Sequence, residues 1–466
     1  MIENIINLTN DALYSFVLII LLVLGGIYFS VRTRFAQFRL LGQQFKSVTE
    51  KTDKKGVSSF QALMVSTASR VGTGNIIGVA TALCLGGFGS VFWMWIIAII
   101  GAASAFVEST LAQIYKKRGS DGCYGGPAYY IEAATKRKGL AIIFSIFLIL
   151  TYGFGFNMLA SYNLQATFSS YDFYNATYTP WIIGFVIAVL VGYCLIGGGK
   201  RLISVTSFLV PVMGALYILV AIIITLMNIK VLPDVFRQIF VGAFDFKAIF
   251  GGFSGSCVMY GIKRGLFSNE AGVGSAPNAS ASAEVSHPAK QGLVQVLSVF
   301  IDTLLVCTAT AFMCMSSGVV PPSNSEQAAA YVQNVLGATL GDIGPVFITV
   351  AMILFAFTTL LGNLFYVDKA INYLLGKEPT KVVRNTCYVI ACLVIFIGAG
   401  LSADLLWGIA DIMMGGMTII NMPIIIYLGK YAIRALKDYE KQLKKGTDIT
   451  FNKNDIGLPH ETDYWN

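Results

Sequence analysis

The sequence predicts an all-helical protein that crosses a membrane many times. Of its 466 residues, 55% are hydrophobic and only 12% are charged, whereas soluble domains carry roughly 25% charged residues. Apolar stretches of about 20 residues recur along the whole chain, and each is long enough to span a bilayer. Most of these stretches lack the polar face of a helix on a soluble protein. Composition and patterning therefore indicate membrane spans rather than a soluble core.

Eleven spans are predicted along the chain. They cover residues 12–30, 60–86, 90–115, 140–168, 181–197, 202–227, 249–267, 293–316, 343–367, 382–400 and 404–428. The N-terminal residues carry no basic segment, and no small-residue cleavage site follows the first apolar run. That run is therefore predicted to be a retained helix and not a signal peptide.

The loop charges predict the orientation. With the N-terminus outside, almost all Lys and Arg residues fall in inner loops or at the adjoining ends of spans. The exceptions are Lys230, Arg237 and Lys247 in outer segments, and Arg70 within a span. This bias predicts a multi-pass protein of the bacterial inner membrane with a cytoplasmic C-terminus. It also attributes the net charge of +8 to topology and not to nucleic-acid binding.

Two spans carry glycine and polar residues where apolar residues are expected. The second span reads Ser69-Arg-Val-Gly-Thr-Gly-Asn75, and the seventh reads Phe250-Gly-Gly-Phe-Ser-Gly-Ser256. Glycine lowers the cost of leaving helical geometry, and unwound backbone at membrane depth occurs where it lines a cavity or is buried in protein. Close helix packing through small residues explains either segment taken alone. The pair is typical of a transporter with a central site.

The two interrupted spans also predict the domain organisation. Each opens a block of five spans, residues 60–227 and residues 228–428. Because five is odd, the second block is predicted to be inverted relative to the first. Residues 1–59 add an N-terminal segment with one extra helix. Residues 429–466 form a polar cytoplasmic tail, predicted as a short amphipathic helix followed by disorder.

The chemistry of the predicted site follows from the first break. Amide groups at the start of a half-helix carry partial positive charge and bind a carboxylate, and Thr73, Gly74 and Asn75 are predicted to supply them. Carbonyl groups freed at the opposite half-helix end suit a sodium ion. In the ninth span, Thr358 and Thr359 offer hydroxyl oxygens, although bonding back to their own helix is the alternative.

The sequence does not decide the roles of the charged residues within the spans. Four charged residues fall within spans: Arg70, Glu108, Asp302 and Asp411. Each is costly there, and either a structural ion pair or a proton relay explains it. The eight cysteines form no CxxC pair, and HExxH and GxSxG motifs are absent from the sequence. The sequence therefore predicts neither an enzyme nor a bound transition metal.

Four runs of residues resemble a known family, the alanine/glycine:cation symporters, also called sodium:alanine symporters. The runs are Gly72-Thr-Gly-Asn-Ile76, Tyr124-Gly-Gly-Pro-Ala-Tyr-Tyr-Ile131, Arg264-Gly-Leu-Phe-Ser-Asn-Glu-Ala-Gly-Val-Gly-Ser-Ala-Pro277 and Phe300-Ile-Asp-Thr303. The resemblance implies eleven helices, with a leucine-transporter-like five-plus-five inverted repeat after one extra helix. It implies import of alanine, glycine or a related neutral amino acid with sodium, and sometimes with protons.

The resemblance also implies a site. The substrate carboxylate is expected at the amides of Thr73 and Gly74, between Gly72 and Asn75. The site residues implied beside these are Phe253, Ser254 and Gly255 from the other broken helix for the substrate, and Ala68, Val71, Thr358 and Thr359 for sodium.

Two positions depart from the pattern of the family. Many relatives have glutamine near Ala160, and many alanine carriers have tryptophan at the position of Asn363. Smaller residues enlarge a pocket and change its selectivity, so a glutamine, asparagine or serine carrier is the alternative to an alanine carrier. A membrane-embedded enzyme or a channel is the alternative from another class. The sequence is compatible with a monomer.

Overall fold

The chain forms a helical bundle with a two-stranded antiparallel sheet in a computed structural model, which describes residues 2–50, 56–119, 122–245, 256–459 and 461–465. Eight described helical segments are long and apolar enough to cross a membrane, which confirms the predicted class. They are Ser90–Ile114, Lys138–Ala166, Thr179–Ile196, Gly198–Met227, Pro288–Ser316, Ile343–Leu375, Lys381–Gly398 and Ala403–Lys445. Two shorter apolar helices, Leu18–Arg32 and Gly74–Gly86, accompany them.

The elements of the first half precede residue 246. They are α1 (Ile2–Ala12), α2 (Leu18–Arg32), α3 (Ala36–Arg39), α4 (Leu41–Thr49), α5 (Ser59–Arg70), α6 (Val79–Gly86), α7 (Ser90–Ile114), β1 (Lys117–Gly119), β2 (Gly122–Tyr124), α8 (Pro127–Thr135), α9 (Lys138–Leu148), α10 (Phe156–Ala166), α11 (Thr179–Ile196), α12 (Gly198–Met227) and α13 (Leu232–Ala243). In the sheet, Arg118 lies opposite Cys123.

The elements of the second half follow residue 255. They are α14 (Cys257–Asn269), α15 (Pro277–Ser282), α16 (Pro288–Val299), α17 (Thr308–Ser316), α18 (Ala328–Leu340), α19 (Ile343–Leu375), α20 (Lys381–Gly398) and α21 (Ala403–Lys445). Within the described ranges, four π-helical segments interrupt or join these helices: Leu13–Val17, Gly74–Gly78, Ile149–Gly155 and Phe300–Cys307. Short 3₁₀ turns lie at Ile229–Val231, Ser325–Gln327 and Lys453–Ile456.

Local sequence explains where several helices begin. Ser58 caps α5 in a reciprocal capping box with Gln61, and Thr380 caps α20 through its hydroxyl group. Such caps satisfy amides that have no partner inside the helix. Proline occupies the first position of α15 and α16, where its missing amide proton costs nothing.

The second predicted span is broken. α5 ends at Arg70, Val71 leaves helical geometry with φ −78° and ψ 89°, and a π-turn resumes at Gly74. The structure thus confirms the interruption that the glycines of this span predict. Below, "inner" is the side of Ser59 and "outer" the side of Gly86, following the predicted orientation.

A second break lies directly after the seventh predicted span. The predicted glycine segment, including Phe253, Ser254 and Gly255, falls on residues 246–255, outside the described residues. The helix α14 begins directly after it and ends at Asn269. The break that the structure describes is residues 270–276, which separate α14 from α15.

Contacts with the continuous helix α7 give the depth of this second break. Gly261, near the start of α14, packs against Ser90 at the outer end of α7. Ala271, at the start of the break, packs against Gly101. Because Gly101 lies near the middle of α7, residues 270–276 lie at the middle of the bundle and not in an inner loop.

The two broken helices run in opposite directions past each other. α14 packs on α6, the outer half of the first broken helix, and α15 packs on α5, the inner half. The chain passes from inner to outer through α5 and α6, and from outer to inner through α14 and α15. Both breaks therefore lie at one level of the bundle.

The C-terminal tail is ordered and docked, which makes the predicted disorder wrong. α21 continues to Lys445, and the buried Ile456 and Leu458 follow it. The indole nitrogen of Trp465 donates to the Gln113 carbonyl oxygen at 2.7 Å, at the inner end of α7. A few aromatic and aliphatic side chains provide the apolar burial that composition alone did not predict.

Candidate functional site

Two backbone amides of the first break lack a hydrogen-bond partner in the part of the chain that the structure describes. The amide of Gly72 donates to the Asn75 side-chain oxygen at 2.8 Å, and the amide of Asn75 donates to the Gly72 carbonyl at 3.1 Å. Among the described residues, the amide nitrogens of Thr73 and Gly74 have no hydrogen-bond partner. The free donors are thus two of the three predicted amides, because the tight turn uses the amide of Asn75.

The end of α5 presents free carbonyl oxygens beside a free hydroxyl group. Within the described part of the chain, the carbonyls of Ala68 and Val71 accept no hydrogen bond. The Thr359 hydroxyl is buried and has no hydrogen-bond partner among the same residues. Its oxygen occupies the space that a Cβ atom at residue 72 would need, which only glycine leaves free. Neutral oxygens in a buried place are typical ligands of a hard cation.

Thr358 has a different environment from Thr359. Its hydroxyl donates to the Leu354 carbonyl at 2.9 Å, which is the bonding to its own helix that the sequence left as an alternative. The oxygen also lies 3.4 Å from the Met213 sulfur. Thr358 therefore donates its proton to its own helix and keeps its lone pairs for a cation, whereas Thr359 has no protein partner in the described residues.

The Asn75 side chain connects the break to Asp302. Its amide nitrogen lies 2.7 Å from the Asp302 carboxylate, which belongs to the π-helical segment Phe300–Cys307. Asn75 thus fixes the turn through Gly72 on one side and holds Asp302 on the other. This arrangement assigns its side chain to positioning the break, whereas the sequence grouped it with the substrate contacts.

The helix α10 lines the break from the other side. Its Asn163 side chain donates to the Thr73 hydroxyl at 3.2 Å. Ala160, one turn earlier, is buried and contributes only a methyl group. Asn163 holds Thr73 in place, so α10 is coupled directly to the residue whose amide is free.

Asn363 belongs to a buried chain of polar groups. Its nitrogen lies 3.0 Å from the Asn157 side-chain oxygen, and its oxygen lies 2.8 Å from the Ser69 hydroxyl. The same hydroxyl lies 2.8 Å from the carboxylate of Glu270, in the second break. This series of hydrogen bonds links α10, α19 and both breaks.

Aromatic rings cover the outer side of the first break. Phe267 packs against Gly74, and its ring lies 4.4 Å from Phe156 and 4.8 Å from Trp407, between ring centres. Phe267 precedes the second break on the outer half-helix α14. These rings separate the free amides from the outer side.

A cluster of charges lies above the rings. The Arg264 guanidinium stacks 4.0 Å from the Trp407 ring and lies 2.8 Å from the Asp411 carboxylate. Lys263 lies 3.1 Å from the same carboxylate. The sequence placed both cations at the inner end of the seventh span, which is wrong, because they lie on the outer half-helix α14, where Asp411 compensates their charge.

A cavity opens on the inner side. It has a volume of about 630 Å³ and is lined by Gln61 of α5, Ser282 of α15 and Phe365 of α19. Phe365 lies two residues beyond Asn363 on the same helix. The cavity thus reaches the inner half-helices of both breaks, whereas aromatic rings cover the outer side.

Sequence reasoning missed Ser69, Asn157, Asn163 and the second break at residues 270–276. A signal for the break is present, because Gly272-Val-Gly274 repeats the Gly-x-Gly spacing of the first break. Both glycines have positive φ, 84° and 90°, which other residues rarely adopt. Because the residues around these glycines are polar, the segment was predicted to be part of a loop.

Comparisons with known proteins give the following similarities. The model of the sodium:alanine symporter family matches residues 1–453. The chain is 40% identical to the amino-acid carrier protein AlsT of Bacillus subtilis, over 99% of this chain and 97% of that protein. It is 40% identical to the probable sodium/glutamine symporter GlnT of the same organism, over 100% and 96%. A putative sodium/proton-dependent alanine carrier, YrbD, also of that organism, is 41% identical over 98% and 96%.

Proposed function

The chain belongs to the sodium:alanine symporter family and is a cation-coupled amino-acid carrier rather than an enzyme, and we propose that it imports alanine or glycine together with sodium. The observation that carries the proposal is the pair of free amides at Thr73 and Gly74 beside the free carbonyls of Ala68 and Val71. The carboxylate of an amino acid binds amide donors, and a metal cation binds carbonyl oxygens. A carrier of both therefore needs these two kinds of group close together.

In the proposed complex, the substrate carboxylate binds the amides of Thr73 and Gly74, at the start of the outer half-helix. The sodium ion binds the Ala68 and Val71 carbonyls, with the hydroxyls of Thr359 and Thr358. The carboxylate and the ion are then close neighbours on one turn of backbone. Each neutralises the charge of the other, so each strengthens the binding of the other.

We propose alternating access about this site. The inner cavity and the aromatic cover of Phe156, Phe267 and Trp407 fit a state that is open towards the inner side. In the opposite state the rings separate, and the inner half-helices α5 and α15 close the cavity. The crossing of the two broken helices in opposite directions supports an inverted repeat of residues 60–227 and 228–428.

The proposal includes the eleven-span topology with an extracytoplasmic N-terminus and a cytoplasmic tail. α2, the broken α5–α6 helix and the broken α14–α15 helix accompany the eight long segments, which supports that count. A bacterial inner membrane is the proposed location, and one chain contains both breaks, so a monomer suffices for the site.

A carrier of glutamine, asparagine or serine is the second candidate. Asn157 and Asn363 provide a buried pair of amides, and one of the similar proteins is a probable sodium/glutamine symporter. A substrate with a polar side chain has hydrogen-bonding partners in such a pair, whereas alanine has only a methyl group.

Uptake by purified protein in liposomes tests the proposal. Labelled alanine is expected to accumulate only with an inward sodium gradient, and the rate is expected to saturate with alanine. Glutamine uptake at a higher rate favours the second candidate. Accumulation that ignores sodium contradicts sodium coupling, and a linear, non-saturating flux indicates a channel.

A further inference from the structure

The middle of the bundle contains more acidic than basic side chains. Glu108, Glu270 and Asp302 are each fully buried there. Arg70 is the buried cation beside them, and it donates to Gln295 at 2.9 Å. No carboxylate lies within ion-pair distance of Arg70 among the described residues. An uncompensated buried carboxylate is costly, so a proton or a metal cation is needed here.

Two of the three carboxylates have donors that suit the ionised form. Asp302 accepts from three side chains and Glu108 from two nitrogen donors. The donors are Asn75, Ser268 and Thr303 for Asp302, and the Gly272 amide and Asn421 for Glu108. Because N–H groups only donate, an added proton on Glu108 competes with existing bonds.

Glu270 has a different set of neighbours. Its Oε2 accepts from the Ser275 hydroxyl at 2.6 Å, and its Oε1 lies 2.8 Å from the Ser69 hydroxyl. The Ser69 oxygen also lies 2.8 Å from the Asn363 oxygen. One hydroxyl group has one proton and cannot donate to both oxygens. A proton on Glu270 resolves this, because Glu270 then donates to Ser69 and Ser69 donates to Asn363.

The ionised form of Glu270 has an equally complete arrangement. The oxygen and nitrogen of an asparagine side chain exchange places by a half-turn. When Asn157 and Asn363 both turn, Asn157 donates to Asn363, Asn363 to Ser69, and Ser69 to the carboxylate. The Asn157 nitrogen has no partner among the described residues, so nothing found there opposes its turning.

We propose that Glu270 binds and releases the proton in a proton-linked transport step, and that Ser69, Asn363 and Asn157 transmit its protonation to α10. This inference rests on the proposed carrier function. The proton enters Glu270 Oε1 from the aqueous side that faces the site and leaves to the opposite side after the carrier reorients. Ser69 and Ser275, which contact the carboxylate, are not among the proposed sodium ligands.

The protonation state of Glu270 changes which end of the Asn157 side chain, the N–H₂ group or the oxygen, is left outside the series of hydrogen bonds. With the proton bound, the free end of Asn157 is its N–H₂ group, a donor. Without the proton, the free end is its oxygen, an acceptor. Asn157 follows Phe156, which stacks on Phe267 above Gly74. The switch thus lies next to the residues that cover the proposed carboxylate position.

Four other groups face Glu270 from the elements packed around it. Arg70 belongs to α5, Glu108 to α7, Tyr152 to the π-helical segment Ile149–Gly155, and Tyr366 to α19. Arg70 is positively charged, Glu108 is acidic, and the two tyrosines carry hydroxyl groups.

The test uses liposomes with a fixed sodium gradient and an interior one pH unit more alkaline than the exterior. If one proton accompanies each substrate, this pH gradient raises the accumulation ratio about tenfold. We expect that increase for the natural protein and none for Glu270→Gln, which keeps sodium-driven uptake. Glu132→Gln is the matched control, because Glu132 only accepts from Tyr373 near the inner surface, and it is expected to keep the increase.

Two further variants separate the relay from simple loss of a hydrogen bond. Ser69→Ala and Ser275→Ala each remove one hydroxyl from Glu270, but only Ser69 connects to Asn363. Ser69→Ala is expected to lose the response to the pH gradient, and Ser275→Ala to retain it. A tenfold increase that persists in Glu270→Gln overturns the proposal, as does its absence in the natural protein while sodium-driven uptake is intact. Absence of all sodium-driven uptake in the natural protein instead overturns the proposed function.

Discussion

Replacing Thr359 by valine removes one oxygen from the proposed sodium site and changes little else. Valine has the shape of threonine, so no cavity forms. The Thr359 hydroxyl has no partner among the described residues, so no protein hydrogen bond found there is lost. Any effect on sodium therefore reports the contact between this oxygen and the ion.

The expected magnitude follows from that contact. A polar interaction with a charged group contributes about 1.5–3 kcal/mol, and each 1.4 kcal/mol is tenfold in affinity. Thr359→Val is therefore expected to raise the half-saturating sodium concentration by roughly 10-fold to 100-fold. In sodium-free buffer the variant is expected to be more stable, because a buried unpaired hydroxyl costs about 1–3 kcal/mol.

Initial rates of alanine uptake against sodium concentration measure the first effect, and melting temperatures with and without sodium measure the second. Thr358→Val is the comparison, because the Thr358 oxygen contacts Leu354 and the Met213 sulfur, whereas the Thr359 oxygen lies against Gly72 in the break. A smaller shift is expected there. An unchanged sodium dependence in Thr359→Val, or an equal shift in both variants, refutes the assignment of Thr359 as the main side-chain ligand.

Two further substitutions test the break and the tail. Gly74→Leu is expected to abolish uptake at normal membrane insertion, because even its Cβ comes within 2.7 Å of the Phe267 ring. Gly78→Ala, whose methyl group makes an ordinary contact at 3.5 Å, is expected to keep most of the uptake rate. Trp465→Ala is expected to release the tail, because it loses the bond to Gln113 and a buried ring worth roughly 3 kcal/mol. Limited proteolysis of the tail measures this, and an unchanged digestion rate contradicts the docking.

The spans were predictable because a bilayer imposes length and hydropathy on each helix. Predicted residues 90–115 correspond to α7, and predicted residues 382–400 correspond to α20, within two residues. The end of the last helix was not predictable in this way. Beyond residue 428, α21 leaves the apolar region and is stabilised by protein contacts that hydropathy does not measure.

The first break was predictable because an apolar span surrounds it, so Gly72 and Gly74 stand out. The second break was not, because residues 270–276 are polar and lie between two short helices. Polar groups at that depth need partners, and the partners of Glu270 and Gly272 are Ser69 and Glu108. Residues that distant in the chain give no local signal.

Local sequence also does not predict which partner a side chain reaches. The sequence placed Asn75 in the break but did not indicate that its side chain reaches Asp302. It assigned Thr358 and Thr359 the same role, whereas, of these two hydroxyls, only that of Thr359 lacks a partner among the described residues. Helical position gives the face of a residue, but the hydrogen-bond partner on that face comes from the tertiary fold.

A map of the protein with alanine and sodium bound gives the sharpest test of the proposed site. Alanine density is expected with its carboxylate within hydrogen-bonding distance of the amides of Thr73 and Gly74. A sodium ion is expected between the Val71 carbonyl and the Thr359 hydroxyl. Alanine bound away from both breaks, with these amides and this hydroxyl still unoccupied, overturns the proposed site.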